Sequence, residues 1–570
     1  MKLSGAKILL ECLLEQGVDT VFGYPGGTIL NVYDALYGYG DKIRHIMTSH
    51  EQGAAHAADG YARSSGKVGV CFATSGPGAT NLVTGIATAH IDSSPVVFIT
   101  CNVNEELIGK DSFQEVDIVG ISMPITKCSY LVRDVESLAD ILREAFAVAR
   151  GGRPGPVLID IVRNVTVAEA DYTPLPREEH PANGRLGALI RRASHDLRAP
   201  EPDRVDIDRL VEMVAESERP LVICGGGVVR SRAQDEFRDF VERIDAPVAI
   251  TVMGGGGFPG QHALTTGMIG MHGTQASNLA SEQCDLLLAV GCRFSDRVGI
   301  KYDNSFAPNA KIVQIDIDRS EINKNVQTDH HIVGDAKQVL TLLNRKVPPG
   351  EHSQWKRQVF SWGTEAEYED CPGTLTPKQV LSTISRILPE RTIVATDVGQ
   401  HQMWAIQHFH FSYPGQLLTS GGFGTMGFGL GAAIGAKAAN PEQVVLHITG
   451  DGCFRMNCNE LSTVEHYGLP VITCVFNNRT LGMVRQWQSL IYDKRYSSTD
   501  LDRGPDFVQL ARAYGLQGKK VTNLTELEEA LHEALRLGTG YVIDCAIDTD
   551  EMVRPMVRAG TQITQFLLDY

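Results

Sequence analysis

The chain has 570 residues, 43% hydrophobic and 21% charged, with a formal net charge of −16. It is too long for one ordinary domain, has a globular composition, and carries a charge that repels nucleic-acid phosphates. Its 12 cysteines form no C-x-x-C pair and no Cys/His cluster at zinc spacing, and several sit inside apolar runs, so a reducing cytoplasm is expected.

MKLSGAKILLECLLEQG opens the chain and reads as an amphipathic helix rather than a signal peptide. No apolar run further on reaches the ~18 residues of a membrane span, so no membrane is expected. The first unit continues with the apolar runs VGVCFAT (68–74), VVFIT (96–100) and PVLIDIV (156–162). Residues 171–205 are proline-rich and charged and read as a linker. PLVICGGG (220–227), LLLAVG (286–291) and KIVQIDID (311–318) follow, then a polar stretch at 346–375, a second linker. VVLHITG (444–450) and VITCVFNN (471–478) come last. Runs apolar on both faces and separated by helix-length stretches predict parallel strands. The fold class is therefore α/β, with three doubly wound parallel-sheet units at 1–170, 206–345 and 376–550 and a tail at 551–570. Their sizes are roughly 170, 140 and 180 residues.

The stretch GDGCFRMNCNELSTVEHYGLPVITCVFNN (450–478) contains a strand end, a helix and a further strand. Leu461, Val464 and Tyr467 share a helix face, and Gly468 and Pro470 end it. A helix start is expected at Cys453. This βαβ spacing puts Asp451 and Asn478 at the carboxyl ends of neighbouring parallel strands, where open α/β sheets bind ligands. One carboxylate and one amide oxygen suit Mg²⁺, which completes its octahedron with phosphates and water. Gly450 and Gly452 let a phosphate approach the backbone. A bare GDG is a common turn; NN at the end of the next strand favours the metal–diphosphate reading.

The pairing resembles the diphosphate-binding motif of thiamine diphosphate enzymes, and the resemblance extends over nearly the whole chain. It implies that Asp451, Asn478 and the carbonyl of Thr480 hold Mg²⁺. It implies a pyrimidine-binding first unit, a central unit of the FAD-binding type and a diphosphate-binding third unit. In TSHEQGAAHAADGYAR (48–63), Glu51 on its own would be a charge favourable at a helix N-terminus. The resemblance makes it the partner of N1′ of the cofactor's aminopyrimidine, a partly desolvated carboxyl able to share a proton. Pro77 and Asn81 would adjoin the cofactor beside it. Val398, Gly399, Gln400 and His401 would touch the diphosphate with Gly450 and Gly452. The Gly424 carbonyl would accept from the 4′-amino group, Met426 would prop the cofactor's bend, and Met483 would lie along it. Glu51 and the GDG segment would meet between subunits, in a homodimer or tetramer.

FGYPGG (22–27), TSGPGATNLVTGIATA (74–89), SFQEVDIVG (112–120), MIGMHG (268–273), CRFSDRV (292–298) and LGMVRQWQ (481–488) resemble the catalytic subunits of the acetohydroxyacid synthase family. That likeness implies decarboxylation of pyruvate and addition of its two-carbon unit to pyruvate or 2-ketobutyrate, in branched-chain amino acid biosynthesis. A small regulatory subunit usually accompanies such enzymes. Arg297 would pair with the acceptor carboxylate and Trp487 would contact its alkyl group. Phe113 and Gln114 would line the channel opposite Gly27, with Arg163 nearby. A flavin-dependent pyruvate oxidase, or a carboligase such as one for glyoxylate, is the alternative within the superfamily.

The central unit carries no G-x-G-x-x-G, so its pattern alone gives a plain α/β domain. FAD is implied by the resemblance. It would be held by Arg153, Gly225, Gly226, Gly227, Thr251 and Met271, by His272, Gly291, Arg293, Arg297, Asp316 and Glu321, and by Ile322 and Asp335. Gln402 and Met403 of the third unit would join them. The sequence departs from the family at Arg163, where a Lys is usual, at Ser295, where an Asp is usual, and at Thr28 and Asn31, which replace Ala and Pro.

Overall fold

The computed structural model describes residues 1–175, 199–299, 306–363, 373–558 and 560–567. Three six-stranded sheets, each parallel throughout, divide the chain. The first runs, edge to edge, Arg44–Met47, Thr20–Gly23, Gly69–Thr74, Val96–Asn102, Val157–Val162, Cys128–Val132. Numbered within the sheet, that order is 2-1-3-4-6-5. The third sheet, Leu417–Thr419, Ile393–Thr396, Val445–Gly450, Val471–Asn477, Tyr541–Ala546, Gln517–Val521, has the same order. The central sheet is wound differently: Thr265–Met268, Val248–Ile250, Pro220–Cys224, Leu286–Val290, Lys311–Asp316, His330–Val333, or 3-2-1-4-5-6. This is the dinucleotide-binding order, with its switch point between Pro220–Cys224 and Leu286–Val290. The predicted runs are strands; shorter strands such as Thr20–Gly23 and Val248–Ile250 complete the sheets.

The first and third sheets share more than their winding. Asn102 ends the fourth strand of one and Asn477 that of the other. Asn102 Nδ2 donates to Asp160 at 2.7 Å, and Asn477 Nδ2 donates to Asp544 at 2.8 Å. In each pair the Asn lies two residues beyond the residue registered opposite the Asp, which is Thr100 in one sheet and Val475 in the other. Burial raises both carboxyls, that of Asp160 to about 6.

The helices that follow the second strand of each sheet, Glu51–Ser65 and Phe428–Ala439, pack directly on one another. Their small residues set the distance: a Cβ at Gly435 would lie 1.8 Å from the Ala57 carbonyl oxygen, and one at Gly60 would lie 2.2 Å from that of Ala432. No side chain fits at either place. A shared hydrophobic core, including Tyr61, Ile434 and Phe454, continues across this contact.

Of the predicted linkers, most of 171–205 lies outside the described residues. The second contains the helix Ser353–Ser361, whose Trp355 is buried against the central unit and donates to the Pro220 carbonyl at 2.9 Å. The tail holds a short antiparallel pair, Met556–Val557 with Phe566–Leu567, and Val557 N–H donates to the Met271 carbonyl. Among the described residues no helix is long and apolar enough to cross a membrane.

Candidate active site

Asp451 and Asn478 reach the ends of adjacent strands, as Val445–Gly450 pairs in parallel with Val471–Asn477. The helix begins at Asp451, two residues before the expected start, so the acid lies in the first helical turn. Both line one narrow pocket with Gly450, Gly452, His401, Met426, Thr480 and Met483. Asp451 is 1% exposed, and its Oδ2 has no hydrogen-bond partner. Burial lifts its carboxyl to about 7. A buried acid with an unpartnered oxygen fits a cation that arrives with its own ligands. Among the described residues no group of three His, Cys, Asp or Glu is placed to hold a metal ion. Asn478 Nδ2 donates to Gln400 Oε1 at 3.1 Å, fixing the amide.

The loop after Ile393–Thr396 forms the facing wall. Gly399 has φ +153, and a Cβ at Gly450 would meet the His401 ring at 2.8 Å, so these glycines make room for the imidazole. Burial lowers His401 to about 4, leaving it neutral, and its Nε2 is unpartnered. Asp397 anchors the loop, a role the sequence reading did not assign. Its carboxylate meets His447 Nε2 at 3.0 Å and accepts from Thr449 at 2.7 Å and from Gly429 N–H at 2.9 Å. Burial alone would raise this carboxyl, but those partners hold it at about 2.

Glu51 begins its helix after the strand Arg44–Met47 and is 8% exposed. Asn81 Nδ2 donates to its Oε2 at 2.9 Å, and a Cβ at Gly78, next to Pro77, would lie 3.1 Å from its other oxygen. Glu460 of the third unit caps the segment before it, accepting from Ser49 N–H at 3.0 Å. Every residue lining the Asp451 pocket lies between Val398 and Val484, so within one chain Glu51, Pro77 and Asn81 stand outside it.

A larger cavity, of about 640 Å³, opens at the switch point of the central sheet and reaches the other two units. The glycines there are required by contact: a Cβ at Gly225 would lie 2.2 Å from the Gly291 carbonyl oxygen, and one at Gly227 would lie 2.6 Å from Gly291 Cα. Arg153, Gly226, Gly227, Thr251, Met271 and His272 line the cavity, as do Gly291, Arg293, Arg297, Asp316, Glu321, Gln402 and Met403. Gly225 does not line the cavity; its N–H donates to the Val290 carbonyl at 2.9 Å. Ile322 and Asp335 do not line the cavity; Asp335 caps the helix Ala336–Asn344, accepting from Lys337 and Gln338 N–H. Arg153 is held by Glu321 at 2.8 Å and Ser93 at 2.9 Å. His272 is buried, lowered to about 4, with Nε2 unpartnered. Arginines, an unpartnered ring nitrogen and a size within the range of ligand pockets fit a dinucleotide. Ser93, Arg230 and Asp92, which no motif marked, also line the cavity. Val398, Gly399 and Met483 line both cavities, making them neighbours.

The acceptor residues are divided. Trp487 and Arg297 lie on the larger cavity, while Gly27, Phe113, Gln114 and Arg163 line neither cavity. Phe113 is 87% exposed, and Gln114, at φ +61, packs against Gly76. Ser295 lies on the wall of the larger cavity. Thr28 bonds to Ser75 N–H at 3.1 Å and Asn31 bonds to Thr166 at 2.8 Å, so both substituted residues bind neighbouring segments.

Three family models match the three units. They are described as the N-terminal TPP binding domain (residues 3–121), the central domain (207–343) and the C-terminal TPP binding domain (397–545) of thiamine pyrophosphate enzymes. Sheet order, pocket and match define a three-domain thiamine diphosphate enzyme. The chain is 45% identical to a probable acetolactate synthase large subunit of Methanocaldococcus jannaschii, over 99% of this chain and 95% of that one. It is 42% identical to the acetolactate synthase isozyme 2 large subunit of Escherichia coli, over 99% of both. With the acetolactate synthase large subunit of Haemophilus influenzae it shares 41% over 100% of this chain and 98% of that one. The chain belongs to the acetolactate synthase large-subunit family.

Proposed function

We propose that the chain is the catalytic subunit of a thiamine diphosphate-dependent acetolactate synthase of branched-chain amino acid biosynthesis. It decarboxylates pyruvate and joins the two-carbon unit to a second 2-ketoacid, pyruvate or 2-ketobutyrate. The observation that carries this reading is the buried Asp451 carboxylate, with one oxygen unpartnered, in the same pocket as Asn478 and Thr480. Full-length similarity to acetolactate synthase large subunits supports the choice of reaction. Asp451, Asn478 and the Thr480 carbonyl hold Mg²⁺, and the neutral His401 and the Gly450–Gly452 backbone receive the diphosphate without adding charge. Bound thiamine diphosphate supplies carbanion chemistry at its thiazolium carbon.

Glu51, oriented by Asn81, holds and returns the proton at the aminopyrimidine N1′. Because Glu51 stands outside the Asp451 pocket of its own chain, the complete site takes Glu51, Gly27, Phe113, Gln114 and Arg163 from one copy and the metal pair from a second. A homodimer is then the smallest active form. Arg297 pairs with the acceptor carboxylate, and Trp487 contacts its alkyl group, a discrimination of one methylene worth ~1–3 kcal/mol. FAD occupies the larger cavity in a structural role. A smaller regulatory partner and a cytoplasmic location complete the reading, and the domain limits follow the three sheets.

The test is an anaerobic assay with pyruvate, Mg²⁺, thiamine diphosphate and FAD. Acetolactate forms while the flavin stays oxidised; bleaching of the whole flavin at the turnover rate would replace this reading with a pyruvate oxidase.

A further inference from the structure

Between the two cavities runs the segment 420–427. Ser420 to Gly424 line the larger cavity, and Met426 lines the smaller. This segment belongs to the third unit, yet the first unit holds it at two points and the residue before it at a third. Arg63 Nη1 donates to the Thr419 carbonyl at 2.7 Å, Gly422 N–H donates to Asp92 Oδ1 at 2.8 Å, and the hydroxyls of Thr425 and Thr88 lie 2.6 Å apart. The contact is close: a Cβ at Gly422 would lie 2.5 Å from the Ile91 side chain and 2.7 Å from Asp92 Oδ1.

Asp92 stands where these connections meet. It is buried and lines the larger cavity. Its second carboxylate oxygen accepts from Arg63 at 3.4 Å. Arg63 is also bound to Asp59 at 2.5 Å and Ser94 at 2.7 Å, and it lies over the Phe428 ring. The backbone carbonyl of Asp92 accepts from Arg230 Nη2 at 2.9 Å, and Arg230 itself lines the larger cavity. One residue therefore touches a flavin-side arginine through its backbone and the intervening segment through its side chain.

We propose that Asp92 is a positioning residue that couples the two cavities. Through Gly422 it sets the segment carrying Gly424 and Met426; through its carbonyl it holds Arg230, so occupancy of the larger cavity favours the segment position that the smaller cavity uses. This rests on the proposed placement of flavin and thiamine cofactors. Coupling of this kind is reciprocal: FAD tightens thiamine diphosphate binding by the factor with which thiamine diphosphate tightens FAD.

The experiment titrates thiamine diphosphate with Mg²⁺ into the full chain, with and without saturating FAD, following tryptophan fluorescence, and then titrates FAD in the reverse order. In the wild type FAD lowers the apparent dissociation constant at least about 5-fold. In Asp92→Ala, which removes the acceptor of the Gly422 N–H and leaves Arg63 paired with Asp59, the factor falls to near one while each cofactor still binds alone. Thr88→Val, which removes one hydroxyl at the same segment, lowers the factor part of the way. Should Asp92→Ala fail to fold, Thr88→Val decides the matter alone. An unchanged factor in the variants overturns the proposal, as does a wild type that binds both cofactors independently; neither touches the proposed function. A wild type that binds no FAD overturns both.

Discussion

The first and third sheets are wound in the same order and carry an Asn–Asp pair in the same register, yet they present different residues at their strand ends. In the first, the carboxyl ends lead to Gly27, to the Ser75–Asn81 turn and to Glu51. In the third, the same places lead to Gly399, to Asp451 and to the Gly424 segment. Winding decides where loops gather, and the loop residues decide what gathers there. In the first unit Asn102 donates to an acid that lines neither cavity; in the third, Asn477 adjoins the residue proposed to hold the metal.

This contrast can be broken at its strongest point first. Glu51→Gln lowers turnover about 10²–10⁴-fold, and fluorescence titration shows the diphosphate bound as before. Asp451→Ala does the reverse: it weakens Mg²⁺-dependent cofactor binding by more than about 100-fold, seen in the same titration. The matched Asn pair sharpens the comparison. Asn477→Ala lowers Mg²⁺ affinity about 10-fold, whereas Asn102→Ala leaves it unchanged and costs about 1–3 kcal/mol of stability in denaturant unfolding.

The last effect is on pH dependence. Asp160 holds its proton more tightly when folded, at about 6 against 3.8 when free. Its linked contribution to stability is therefore complete below about 4 and is lost as pH rises to about 6, on the order of 3 kcal/mol. Asp160→Asn flattens that slope in unfolding curves measured from pH 4 to 7.

Long apolar runs such as Val157–Val162 were legible in the sequence because burial on both faces leaves no polar residue to interrupt them. Strands of three or four residues, such as Val248–Ile250 and Leu417–Thr419, are too short to show a period. The shared Asn–Asp pair was hidden because the intervening segments differ in length and in their elements, 58 residues separating one pair and 67 the other. The central unit showed no dinucleotide fingerprint, and its strand order emerges only when the strands pair. That Asp451 and Asn478 share one pocket was legible because the βαβ spacing puts both at the ends of adjacent parallel strands. Asp92 and Arg230 were not: they meet across domains, in ordinary turns, with no motif around either.

The account depends most on the claim that Glu51 and Asp451 of one complete site come from different copies of the chain. Glu51→Gln and Asp451→Ala, each inactive alone, are to be unfolded together, refolded as an equimolar mixture and assayed for acetolactate. Random pairing gives hybrid dimers with one intact site, and activity returns to about a quarter of wild type. A mixture as inactive as its two components would place both residues in a single chain's site and contradict the account.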